Sequence, residues 1–266
     1  MPLFVRNLLM QSAMAGWSDG RFCRAAAQAG AAIVTLGGYN ADRPTHKAGV
    51  QAAKRRREFS IGLDELPEHI RKQAAIARTE GVLVCVNIRF ALQRDLAKLC
   101  RQLVGAVDLV ELNAHCRQPE FIKAGAGEAL LSRPRELLRA VALSSDDLPT
   151  LVKARAASLP QDLARQLEDS GALALHLDLM KPARPEADVR LLRRMRASTA
   201  LPIIGNNSVR DEESFLRMLA NGANMASMAR GMLDGPGPMR TIISSKRCAM
   251  AIAAASPVTS RGFRLG

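Results

Sequence analysis

An apolar run, Leu109–Leu112, leads into Asn113 and, three residues on, Cys116, before Gly125 and Gly127 introduce the next helical stretch. An amide and a thiol at the mouth of a buried strand are poor packing choices. They are good reaction chemistry, because a thiol can give or take a proton and an amide can orient a ring. If the strand belongs to a barrel, its carboxyl end is where such groups meet a substrate. Polar residues recur at other apolar run ends: Met14-Ala-Gly16-Trp-Ser18-Asp19, Gly37-Gly38-Tyr39-Asn40, Asn87 with Arg89, Lys153 with Arg155, His176 with Asp178, Asn206-Asn207, and Ala229-Arg230-Gly231. One His or Lys near a strand end is more often a satisfied structural residue. Their recurrence predicts a polar pocket on one rim.

That pocket needs elements to hold it. Strands are predicted at 8–14, 32–36, 82–88, 109–112, 150–154, 174–178, 202–205 and 225–228. Helical patterns fall between them at 20–29, 66–80, 92–104, 135–143, 161–170, 186–198 and 211–221. Strands alternating with helices indicate βα units on a parallel sheet. Eight units predict an α/β fold of the (β/α)8 TIM-barrel type. Residues 1–255 are expected to form that single domain, closed by a helix over 238–255, with 256–266 as a loose basic tail. The connection from Gly37 to Asp64 is unusually long and carries Lys54-Arg55-Arg56-Arg57. A loop of that length after a barrel strand either covers the active site or is a solvated charge run.

Composition bounds the function. Of 266 residues 48% are hydrophobic and only 3% aromatic, so Ala, Leu and Val must fill the core. No run approaches the roughly 20 apolar residues of a membrane span, and the start lacks a signal-peptide pattern. Five cysteines without a C-x-x-C pair argue against a disulfide framework or a zinc cluster, and for a cytoplasmic protein without a metal site. Net charge is +13, which attracts RNA or small phosphorylated or carboxylated substrates, or reflects solubility alone. The last two strand ends suggest a phosphate site: Gly205-Asn206-Asn207 lets backbone approach, and Arg230-Gly231 adds a fixed cation.

Taken in order, MAGWSD, VTLGGYNAD, VNIR, LNAHC, KAGAGEALL, VKAR, LHLD, LPIIGNN and GANMASMARG resemble the flavin-dependent barrels of the tRNA-dihydrouridine synthase and dihydroorotate dehydrogenase superfamily, over roughly residues 8–235. The resemblance implies FMN, with its phosphate at Asn206, Asn207, Ala229 and Arg230. It implies that Met14 and Gly16 line the flavin ring, that Asn87 and Lys153 meet its polar edge, and that His176 is a further contact. Cys116 would then exchange a proton with the substrate carbon next to the one exchanging hydride, while Lys153 stabilises charge on reduced flavin. Asn113 and Arg155 would bind the substrate ring and its polar groups. His115 and Arg117 are candidates for lowering the Cys116 pKa.

The sequence departs from the family at three points. His115 and Arg117 flank Cys116 where the family has Gly or Ser and then Pro, and Asn207 replaces a usual Gly. The tRNA-modifying members also carry a helical domain after the barrel, which this chain lacks, so a small substrate gains weight. The expected activity is an FMN-dependent oxidoreduction of a C=C or C=N bond in a planar nitrogen heterocycle, uridine-, pyrimidine- or pterin-like. The partner is therefore tRNA or a small heterocycle, and any NAD(P)H would use the flavin face directly. The alternatives are a flavin-free isomerase or aldolase acting on a phosphorylated metabolite, with Lys153 as base or Schiff-base lysine, and a non-catalytic RNA-binding barrel.

Overall fold

In the computed structural model, residues 3–181, 186–254 and 263–265 are described. Eight parallel strands close a barrel: β1 Leu9–Gln11, β2 Ile33–Asn40, β3 Leu83–Arg89, β4 Leu109–Ala114, β5 Thr150–Arg155, β6 Ala174–Asp178, β7 Ile203–Asn206 and β8 Met225–Met228. Each pairs with the next, and β1 closes the ring against β8. This is the expected (β/α)8 TIM barrel. Helices pack outside on the apolar strand residues, such as Val110, Leu112, Val152, Ala154, Leu175 and Leu177, all fully buried. The alternate residues face inward. On β4, β5 and β6 they are Glu111 and Asn113, Lys153 and Arg155, and His176 and Asp178. The upper half of the barrel is therefore filled with polar side chains rather than the branched apolar layers usual in this fold.

Several elements differ from the sequence reading. β1 stops at Gln11 instead of Met14 because the chain turns: the Ser18 hydroxyl accepts the Met14 N–H at 2.8 Å and binds the Gln11 amide at 3.2 Å. The segment expected as one long loop from Gly37 to Asp64 is mostly ordered. β2 runs on to Asn40, and a helix fills Arg43–Ala53. Asp42 caps that helix: its carboxylate accepts the Thr45 N–H, and the Thr45 hydroxyl meets the Asp42 N–H in return. Pro44 sits in its first turn, where a missing N–H costs nothing. The other Asp42 oxygen accepts the Ala91 and Leu92 N–H groups, tying this helix to the end of β3.

The closing helix is two, Gly237–Ser244 and Lys246–Ala254, because Ser245 leaves helical geometry and its hydroxyl accepts the Cys248 N–H to start the second. Of the expected loose tail, Phe263–Leu265 pairs in parallel with a strand outside the barrel, Leu3–Val5, which precedes β1 in the chain. The remainder of 256–266 lies outside the described residues.

Candidate active site

The carboxyl ends of the strands open into one cavity of about 1760 Å³. It exceeds the roughly 300–1,000 Å³ of most single-ligand pockets, leaving room for a cofactor and a substrate together. Met14, Asn87, Asn113, Cys116, Lys153, Arg155, Asn206, Asn207, Ala229 and Arg230 all line it. Gly16 and His176 do not. Gly16, with φ of 73°, packs under Arg57, where a Cβ would come 2.6 Å from the arginine Cβ. His176 lies deeper, fully buried beneath the floor.

A chain of hydrogen bonds crosses that floor from one rim to the other. Asn113 Oδ1 accepts the Cys116 N–H at 3.0 Å, and Asn113 Nδ2 donates to Asn87 Oδ1 at 2.9 Å. Asn87 Nδ2 donates to Glu111 Oε1 at 2.6 Å, and the other Glu111 oxygen is bonded to His176 Nδ1. His176 Nε2 reaches Ser227 Oγ at 2.7 Å, and Asn206 Nδ2 donates to the same hydroxyl at 2.6 Å. Thus the thiol loop after β4 and the Asn206 turn after β7 are braced by one network. Lys153, 2% exposed, extends beside it and donates to the Ser12 hydroxyl.

Electrostatics follow from this packing. Burial alone would raise the Glu111 carboxyl, but His176, Lys153 and the hydrogen bonds outweigh it and bring the group down to about 2. Burial, and then the Lys153 ammonium, hold the His176 imidazole below its ordinary range. The interior therefore carries a Glu111 carboxylate opposite the Lys153 ammonium, with His176 as a neutral bridge. His115 is pushed down to about 3, first by loss of water and then by Lys153. A neutral imidazole offers Cys116 no positive charge, so that half of the expected thiol activation is not available. Its Nδ1 instead lies 3.2 Å from Asn113 Oδ1.

The Cys116 thiol is half-buried on the cavity wall. Gly127, at φ of 63°, lies against the Cys116 carbonyl, so the Gly-x-Gly pattern gives the thiol turn its clearance. Across the cavity, Asn207 (φ 95°) and Ser208 (φ 61°) form a left-handed turn, which Asn tolerates in place of Gly. That turn and Arg230 give the β7–β8 side the donor set of an anion site. Arg155 is 7% exposed and stands 3.4 Å from Asp178 and 3.9 Å from Glu128.

Glu111, Ser12, Ser227 and the basic segment's role escape sequence reasoning in different degrees. Glu111 had a signal, a carboxylate in the middle of the apolar run LVELNA. Ser12 and Ser227 carried none. Of the basic segment, Arg55, Arg56 and Arg57 line the cavity mouth, while Arg55 bonds Glu120 at 2.6 Å and Gln118 at 2.8 Å, clasping the loop after β4. Arg57 lies over the Trp17 ring at 3.9 Å.

Known structures share the barrel. A FabK mutant from Thermotoga maritima aligns with a TM-score of 0.50 at 18% identity, over 85% of this chain, which spans only 61% of that one. Thiamine phosphate pyrophosphorylase from Pyrococcus furiosus aligns at 0.57 with 11% identity, over 93% and 97% of the two chains. A chain of the tryptophan synthase complex, also from Pyrococcus furiosus, aligns at 0.58 with 13% identity, over 90% and 96%. These likenesses establish the fold alone. No family model matches the sequence. A curated relative does, 36% identical over 231 residues, covering 84% of this chain and 88% of its own length, and the chain therefore belongs to the family of the uncharacterized protein MJ0144 of Methanocaldococcus jannaschii.

Proposed function

We propose that the protein is an FMN-dependent oxidoreductase acting on a C=C or C=N bond of a planar nitrogen heterocycle. The observation that carries the reading is the arrangement of one cavity. It has an anion-type turn at Asn206–Arg230 on one side, a half-buried thiol at Cys116 on the other, and a buried ammonium, Lys153, on the floor between them.

The residues fit the cofactor. Asn206, Asn207, Ala229 and Arg230 would take its phosphate, Met14 its ring face, and Asn87 with Lys153 its polar edge. Among the described residues Lys153 spends one hydrogen bond, on Ser12, so an ammonium has two donors left for a ligand. When bound, FMN supplies the hydride exchange that protein side chains cannot perform. Cys116 holds the proton exchanged at the neighbouring substrate carbon. Asn113 fixes the thiol loop through its Oδ1, and Arg155 orients polar groups of the heterocycle. Glu111 keeps Asn87 turned toward the cavity and balances the charge of Lys153. His176 stabilises that carboxylate from below instead of touching the cofactor. NAD(P)H is the proposed reductant, reaching the same face.

Purified protein should show a visible flavin absorption that bleaches with dithionite, or acquire it after incubation with FMN. A colourless protein that refuses added FMN rejects this reading and leaves the flavin-free barrel, with Lys153 as its nucleophile or base.

A further inference from the structure

The half of the rim away from the β7–β8 turn holds six arginines on the cavity wall: Arg55, Arg56, Arg57, Arg89, Arg117 and Arg155. Four carboxylates answer them. Glu120 binds Arg55, Glu58 binds Arg56 and Arg89, and Glu128 and Asp178 flank Arg155. Two positive charges remain over, and Arg57 and Arg117 have no ion pair among the described residues. Both are exposed at the cavity mouth, where an excess of like charge attracts a ligand of opposite sign.

Arg89 adds a second, independent sign. It is 2% exposed, and its two terminal nitrogens are spent on Glu58, at 3.2 and 2.6 Å, and on the Gly38 carbonyl at 2.6 Å. Phe121 covers the guanidinium at 4.0 Å. The remaining donor, Nε, is buried without a partner. A buried unpaired donor costs free energy, so native structures rarely leave one without a use. It lies just behind the cavity wall, beside Gly38. A Cβ on the cavity-lining Gly38 would stand 3.5 Å from Arg89 Nε but only 2.6 Å from Asn87 Oδ1, so nothing larger than a glycine fits between that donor and the cavity.

We propose that the substrate is a small polyanion bearing at least two acidic groups, carboxylate or phosphate, one facing Arg89 across Gly38 and another held by Arg57 and Arg117 at the mouth. The proposal rests on the flavin reading only in assigning the β7–β8 turn to the cofactor. A small molecule is favoured over RNA because all six arginines converge on one cavity, with four of them held there by neighbouring carboxylates, instead of lying along a strand-tracking groove.

Calorimetric titration of the purified protein, with and without added FMN, uses two matched pairs of probes. Pyridine-2,3-dicarboxylate is compared with pyridine-3-carboxamide, and uridine 5′-monophosphate with uridine. At least one dianion should bind at least about tenfold tighter than its neutral counterpart. Arg117→Ala, at an exposed position, and Arg89→Met should each weaken that dianion about tenfold, with thermal melting reporting whether Arg89→Met still folds. The preferred pair identifies carboxylate or phosphate as the acidic group. Neutral and charged probes binding alike, or Arg117→Ala leaving the dianion unaffected, overturns the proposal. So does a tRNA transcript that binds with a steep salt dependence while neither dianion does. Dianion binding by a protein that takes no flavin would sink the flavin reading and leave this one standing; flavin binding without dianion binding does the reverse.

Discussion

At the residue scale, the site rests on placing a full carboxylate inside a barrel. Glu111 has no water to solvate it, and only His176, Asn87 and Lys153 hold it ionised. Its proton affinity is depressed in the folded state, so its contribution to stability is complete above the unfolded carboxyl range, near pH 4.5. That contribution fades as pH falls toward about 2, where the folded group itself takes a proton. Glu111→Gln removes one partner of a buried charge pair and should cost about 3 kcal/mol at pH 7. Urea denaturation at descending pH should show the gap between wild type and variant closing from pH 4.5 downward; a constant gap would mean Glu111 is not ionised in the fold. Cys116→Ala tests the chemistry separately. Under the flavin reading bound flavin is retained while turnover falls by about 10²-fold or more, because only the proton exchange is lost. The residue types around that thiol were legible in sequence, since Asn-x-x-Cys at a strand end and Lys-x-Arg at the next need no tertiary knowledge. The partners of Cys116 and Arg89 were not. His115 reads as a candidate cation beside the thiol, and burial, with the charge of Lys153 second, holds it neutral.

At the scale of elements, the eight strands and their order could be read from periodicity, because each is an apolar run bounded by turn signals. What could not be read was the ordering of the basic loop. Asp42 and Thr45 form a capping pair in plain view, yet the helix they start is short and polar, with few apolar positions to mark its face. Its anchoring comes from contacts distant in sequence, namely the Asp42 carboxylate on the Ala91 and Leu92 N–H groups. Asp42→Ala loses a helix cap and strands two further backbone donors, for about 3 kcal/mol in all. Asp42→Asn keeps one acceptor oxygen and should fall between, as chemical denaturation would show. Gly16 illustrates the same limit. The sequence resemblance assigns it to the flavin ring, whereas its positive φ and its contact with Arg57 make it the seat of the basic segment. Gly16→Ala should lift that segment and, under the flavin reading, displace no cofactor. Limited trypsin digestion should then cut faster at Arg55–Arg57 while bound flavin is unchanged, and flavin loss without faster cleavage would return Gly16 to the ring.

At the scale of the whole molecule, charge and fold divide the work. The barrel's apolar strand faces and outer helices supply stability, while its upper interior is polar and positively charged. A formal charge of +13 spread over the surface would give a weak, non-selective field. Among the described residues, ten of the cationic side chains line one cavity whose wall holds a single acidic residue, Asp178, so the field is focused there. Low-dielectric walls and a converging field raise the arrival rate of anions more than their residence time. Under the flavin reading the consequence separates FMN from riboflavin, which share a ring and differ in a phosphate of about two negative charges. At low ionic strength the association rate of FMN should exceed that of riboflavin by about tenfold or more. Raising the salt shortens the screening length from about 30 Å at 0.01 M to about 3 Å at 1 M, and should bring the two rates together. Stopped-flow quenching of flavin fluorescence measures both. Arg230→Met should remove much of the advantage in dissociation rate but little of that in association, because one local contact is lost while nine other cations still shape the field. Equal association rates at low salt would mean that the cavity's charges are balanced before any ligand arrives, and that the basic character of this chain serves its outer surface instead.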